Sequence, residues 1–243
     1  MSEMLAVMRR ELRGYFLTPV AYVFIIVYVM LATAFAFYLG NFYERGQADL
    51  ASFFTFQPWL YLFLAPALSM RLWAEERRSG SIELLMTLPL ETWQSVLGKF
   101  LAAWAFMCIA IALTFPLWMT VNYLGDPDNG AILAGYVGSA LMAGGFLAVG
   151  SWISATTKNQ VIAFVLAVVA CFLLLLAGYP LVLDWFSWAP QAVVDGIASL
   201  SFLTHFDSIS RGVIDLSDLI YFALLIGCSL YANTIMLQLT KAD

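Results

Sequence analysis

"NQVIAFVLAVVACFLLLLAGYPLVL", Asn159 to Leu183, contains no charged side chain. A helix of about 20 apolar residues crosses the hydrocarbon core of a bilayer, so this stretch by itself places the chain in a membrane. Five further stretches are equally free of charge: Gly14–Tyr43, Leu50–Met70, Phe100–Gly125, Asn129–Thr157 and Leu219–Thr240. Spans are therefore expected at about 17–40, 53–73, 97–123, 131–155, 160–183 and 218–240. Composition agrees, with 63% hydrophobic and 11% charged residues and a mean hydropathy of +0.87. Soluble chains average about 25% charged residues. Runs of this length exclude a β-barrel, whose strands alternate over about 10 residues, and lipid admits only helices or closed barrels. The expected fold is all-α: one transmembrane domain over 1–243 with six spanning helices. Val20–Leu39 is too long for a signal-peptide core of about 7–15 residues and lacks a small-residue cleavage site, so it is expected to remain as an anchor.

Charge between the spans sets the orientation. With the amino terminus inside, Arg9, Arg10, Arg13, Arg71, Arg77, Arg78, Lys99, Lys158 and Lys241 are cytoplasmic, leaving only Arg45 and Arg211 outside. Outer segments are acidic, with Glu44, Asp49, Asp126, Asp128, Asp184, Asp195, Asp207, Asp215 and Asp218. Both termini then face the cytoplasm.

On that side, between the second and third spans, "EERRSGSIELLMTLPLE" (Glu75–Glu91) gathers six charges. At mid-membrane these would cost on the order of 15–20 kcal/mol, so the segment lies outside the hydrocarbon. Ile82, Leu85 and Met86 follow helical spacing, Glu83 and Thr87 share another face, Pro89 is a stop, and Gly80 with Ser81 supplies a turn and an N-cap. A short helix with one apolar face is expected over about 78–90. Read without a partner, it simply rests on lipid. At the amino terminus, Leu5, Met8, Leu12 and Tyr15 form a stripe away from Glu3, Arg9, Arg10 and Arg13, which predicts an interfacial helix over Met1–Gly14.

Within the spans, Pro58, Pro66 and Pro116 predict kinks, and the small residues Ala140, Gly144 and Ala148 predict close helix packing. No ionisable group occupies a span centre, which disfavours transport driven by an ion gradient. Gln57, Asn122 and Asn233 are expected to hydrogen-bond between helices. Cys108, Cys171 and Cys228 lie inside spans without metal-ligand spacing and read as free thiols. The segment from about 184 to 217 is longer than a turn and partly apolar, so an external re-entrant hairpin is expected there, with His205, Asp207, Arg211 and Asp215 as its polar residues. A lone histidine near Asp207 makes a poor metal site. Tyr179, Trp185 and Trp188 suit an outer aromatic belt. No phosphate-binding loop occurs, since Gly98-Lys99 is followed by Phe100, and neither a nucleophile elbow nor a zinc-protease motif is present. No cofactor, metal or catalytic residue is assigned to the chain.

The amphipathic amino terminus, six spans, cytoplasmic "EERRSGSIELLMTLPLETWQSVLGK" and external "HFDSISRGVIDLSDLIYF" together resemble a type-2 ABC exporter permease. The closest likeness is to the branch of the gliding-motility and nitrous-oxide-reductase-maturation permeases. It extends over essentially the whole chain. Ser81 stands where many relatives carry Thr, and both hydroxyls cap helices. The resemblance implies that the charged segment is a coupling helix docking into a separate ATP-binding subunit, with Gly80, Ser81, Ile82, Glu83, Leu84, Leu85 and Thr87 as docking positions. It implies ATP and magnesium in that partner, and a permease dimer, of identical or related subunits, lined by the second and fifth spans. A membrane-anchored extracytoplasmic protein is a further implied partner, and the bacterial inner membrane the implied location. The competing reading is a membrane scaffold that anchors a complex without transport; an intramembrane enzyme lacks its reactive groups.

Overall fold

The computed structural model describes residues 2–81, 91–185 and 188–242, which are helical with no strand among them. Helix α1 (Ser2–Leu17) precedes α2 (Pro19–Ala34), which runs on as a π-turn, Phe35–Leu39. A short α3 (Phe42–Arg45) leads to α4 (Ala51–Ser69) and α5 (Arg71–Ser79). Next come α6 (Thr92–Ala112), α7 (Phe115–Leu124), α8 (Asn129–Thr156) and α9 (Gln160–Leu176). Three short helices, α10 (Pro180–Trp185), α11 (Gln191–Ala198) and α12 (Phe202–Ser210), precede the last, α13 (Leu216–Ala242).

Among the described residues, four stretches are long and apolar enough to cross a membrane: Pro19–Leu39, Thr92–Leu124, Asn129–Thr156 and Leu216–Leu239. Six were expected. Helix α4 has 19 residues, but Ser52, Thr55, Gln57, Pro58 and Pro66 dilute its apolar character. Helix α9 has only 17, ending before Gly178 and Pro180.

Helix α8 forms the axis, with α4, α5, α6, α9, α12 and α13 packed around it. Small side chains make room for them. A Cβ at Gly135 would fall 2.5 Å from the Phe54 ring, and one at Gly145 2.8 Å from the Phe202 ring. Ala140 offers its carbonyl to Trp104 Nε1 at 2.8 Å, and Gly144 lies against Trp104 and Ile226. Without a hydrophobic drive between helices in lipid, such close packing and interhelical hydrogen bonds hold the bundle. All three uncharged polar residues singled out above make such bonds. Tyr28 donates to Gln57 Oε1 at 3.0 Å, Asn122 and Asn129 exchange bonds of 3.1 Å, and Asn233 Nδ2 donates to Ser151 Oγ at 2.8 Å. Pro58 and Pro66 lie inside α4, whereas Pro116 follows a full break at Leu113–Thr114. The three cysteines are free, with Cys171 buried and Cys228 exposed.

Helix α12 lies alongside α8 in the opposite direction. Phe202 stacks on Phe146 with ring centroids 4.4 Å apart, Ile209 meets Gly138, and Gly212 meets Ala131. At 1.5 Å per residue, the start of α12 is about 25 Å along α8 from Asn129. Ser201 caps that buried start by accepting from Leu203 N and donating to Leu175 O, each at 3.2 Å. Its backbone thus stays satisfied deep within the bundle.

Candidate functional site

The expected docking segment begins where α5 ends. Gly80 terminates α5 in the left-handed region at φ 74°, a conformation that glycine adopts without a Cβ penalty. Ser81 is exposed, its hydroxyl 2.9 Å from that of Ser79. Ile82, Glu83, Leu84, Leu85 and Thr87 lie outside the described residues, as does Met86. The chain is described again from Glu91, which caps α6 through a reciprocal capping box with Gln94 and accepts from Trp93 Nε1.

The two stems of this loop are joined. Lys99 on α6 is buried, yet its ammonium lies 2.6 Å from Glu76 Oε1, 3.0 Å from the Leu72 carbonyl and 3.7 Å from Glu11 Oε1. The same nitrogen stands 4.9 Å above the Trp73 ring, within cation–π range. One lysine therefore ties the stem before the loop, the stem after it, and the amino-terminal helix. Helix α1 comes close enough because position 98 is glycine, where a Cβ would stand 3.0 Å from the Met4 carbonyl and Val7. Leu12 and Tyr15 of the expected stripe pack against the core and Met8 is half-buried, while Leu5 is exposed and Val7 is buried in its place.

A second set of bonds fixes α5 to α8. Ser154 Oγ donates to the Met70 carbonyl at 2.9 Å and accepts from the Trp73 and Ala74 amides at 3.2 and 3.1 Å. That fills every valence of one hydroxyl. Ser151 Oγ accepts from both Trp73 Nε1, at 3.2 Å, and Asn233 on α13. Arg77 donates to the Ala155 carbonyl. The arm leading into the loop is thus anchored to α8 at three successive points.

On α12, beside the middle of α8, His205 is not paired with Asp207. Its Nδ1 lies 2.6 Å from Asp218 Oδ1 on α13, its Nε2 3.0 Å from the Ser199 carbonyl, and Tyr221 stacks on its ring at 4.0 Å. Asp207 instead pairs with Arg211 one turn on. Asp215 is exposed, and its carbonyl accepts from Asp218 N and Leu219 N at the start of α13. Nearness in sequence pointed to Asp207, whereas the fold brings Asp218 to the imidazole. Two adjoining cavities of about 440 and 400 Å³ share Thr55, Asp207 and Ser210, with Asp49, Asp128 and Arg211 around the second. Among the described residues no group of three His, Cys, Asp or Glu side chains could hold a metal ion.

This arrangement links the two stems of the loop, the amino-terminal helix and α8 mechanically. A family model described as ABC-2 family transporter protein matches residues 5–237. No curated protein sequence matches the chain.

Proposed function

Since the chain belongs to the ABC-2 transporter family, and is thus a membrane component of an ABC transporter, we propose that it is the permease through which a separate subunit's ATP hydrolysis drives export or moves an extracytoplasmic partner. ABC-2 permeases work with an ATP-binding subunit. The observation that carries this reading is the clamp on the loop: Lys99 joins both stems, and α5 is bonded to α8 through Ser151, Ser154 and Ala155. A loop that merely rested on lipid would gain nothing from such bracing. Force applied by a docked subunit to Gly80–Thr87 passes through α5 into α8, and from α8 into the helices around it. ATP and magnesium belong to the partner, whose closure moves the loops of two permease copies in a rigid-body exchange between two arrangements.

In this reading six segments cross the inner membrane, with those at about 53–73 and 160–183 adding to the four long ones, and both termini are cytoplasmic. Helices α11 and α12 dip into the outer face without crossing it. Dimerisation along the second and fifth spans gives a cover to Val165, Val169 and Phe172, which α9 leaves exposed. The external "HFDSISRGVIDLSDLIYF" supports placement in the gliding-motility and nitrous-oxide-reductase-maturation branch. There the acidic rim of the outer cavities suits an extracytoplasmic protein. The deciding experiment is co-expression with an ATP-binding subunit. A stable complex is expected, with ATP turnover only in the complex; hydrolysis by the isolated chain overturns the proposal.

A further inference from the structure

A crevice of about 190 Å³ opens at the loop end of the bundle, where α1 turns into α2 and α4 into α5. Val20, Ala21 and Phe24 form one wall, Ala67 and Leu68 a second, and Phe106 the back. At its edge stand Arg71, Tyr15 and Thr18. Arg71 is exposed and has no acidic partner among the described residues; the same holds for Arg9 and Arg13 on α1. Burial raises the pKa of the Tyr15 phenol, so it stays a neutral donor near that guanidinium. The chain thus presents an apolar slot with an uncompensated cation at its mouth, at the level where an interfacial helix meets the first span.

Charge and apolarity in that order match one kind of molecule. We propose that this crevice binds an anionic phospholipid, with part of an acyl chain between Phe24, Leu68 and Phe106 and the phosphate on Arg71. Basic pockets between helices at a membrane interface commonly take acidic head groups, and guanidinium matches phosphate geometry with paired donors. A zwitterionic lipid gains less, since its ammonium group sets a second positive charge near Arg71. The walls include both hinges, Thr18 and Met70, so a bound lipid wedges the angle at which α5 leaves α4. The site rests on the membrane reading above but needs no ATPase, so its test fails or succeeds separately from subunit coupling.

The experiment is native mass spectrometry of the full chain in detergent, titrated with phosphatidylglycerol or with phosphatidylcholine of identical acyl chains. Variants are Arg71→Gln, Ala67→Phe to fill the slot, and Lys158→Gln as an exposed cation away from the crevice. Expected is one phosphatidylglycerol retained at least tenfold more tightly than phosphatidylcholine, a preference abolished by Arg71→Gln and kept by Lys158→Gln. Ala67→Phe should remove retention of the diacyl lipid. Equal retention of both lipids, or equal loss in the two charge variants, overturns the proposal. Competition by inorganic phosphate as strong as that by phosphatidylglycerol would also overturn it, marking a phosphate site with no role for the acyl chain. The comparison of the two lipids uses the parent protein, so a variant that fails to fold still leaves a decisive result.

Discussion

Replacing Lys99 by methionine is the sharpest perturbation of the arm. It keeps a long apolar stem for the Trp73 face but removes the ammonium that meets Glu76, the Leu72 carbonyl and, more distantly, Glu11. Breaking a buried ion pair by deleting one partner costs about 3–5 kcal/mol, because the remaining charge is left uncompensated. Glu76 and Glu11 retain 19% and 22% exposure, so water relieves part of that penalty, and a loss of about 2–3 kcal/mol is expected. Glu76→Gln keeps an acceptor oxygen toward Lys99 and should cost about 1–2 kcal/mol. The double variant Lys99→Met with Glu76→Gln should then be less damaged than the sum of the two, by at least about 1 kcal/mol. Stability is read from denaturant-induced loss of the folded form in matched detergent, and transmission from ATP turnover of the assembled complex. If the two single effects simply add, within about 0.5 kcal/mol, the pair is not a clamp and the reasoning fails.

Other substitutions have equally definite expected outcomes. In the docking segment, Leu85→Ala should weaken complex recovery by about 2 kcal/mol, whereas Glu83→Ala should fold and assemble yet lower the function gained per ATP; pull-down and turnover assays separate the two. Gly135→Ala must displace the Phe54 ring and should cost about 1–3 kcal/mol, while Gly227→Ala, with nothing within 4 Å, should be neutral or slightly stabilising in the same melts. His205→Ala frees Asp218 from its partner and unstacks Tyr221, so limited proteolysis between α11 and α13 should speed up several-fold with assembly unchanged.

The helical class was legible because charge-free runs of that length leave a lipid-embedded chain no other fold. The span count was less so. Charge alone does not distinguish α4, diluted by Gln57 and its prolines, or α9, cut short by Gly178 and Pro180, from a fully apolar helix. The interhelical role of Gln57, Asn122 and Asn233 could be read from residue type, since an amide in lipid must find a partner. Lys99 could not, because in sequence it was one more positive charge at a span end. Its role depends on Glu76 and Glu11, which the fold brings together from 23 and 88 positions away. His205 shows the same limit, since periodicity along α12 says nothing of Asp218 on a different helix.

The break between α4 and α5 at Met70 also bears on how α5 can move. A helix interrupted there should leave carbonyl and amide groups open, and ordinarily its two halves would swing about the gap. Here the gap is splinted from outside: the Met70 carbonyl and the Trp73 and Ala74 amides are all held by the one hydroxyl of Ser154. The hinge therefore belongs to α8 as much as to α4, and α5 moves as an outrigger of the central helix, unable to change its angle unless α8 slides or turns beneath it.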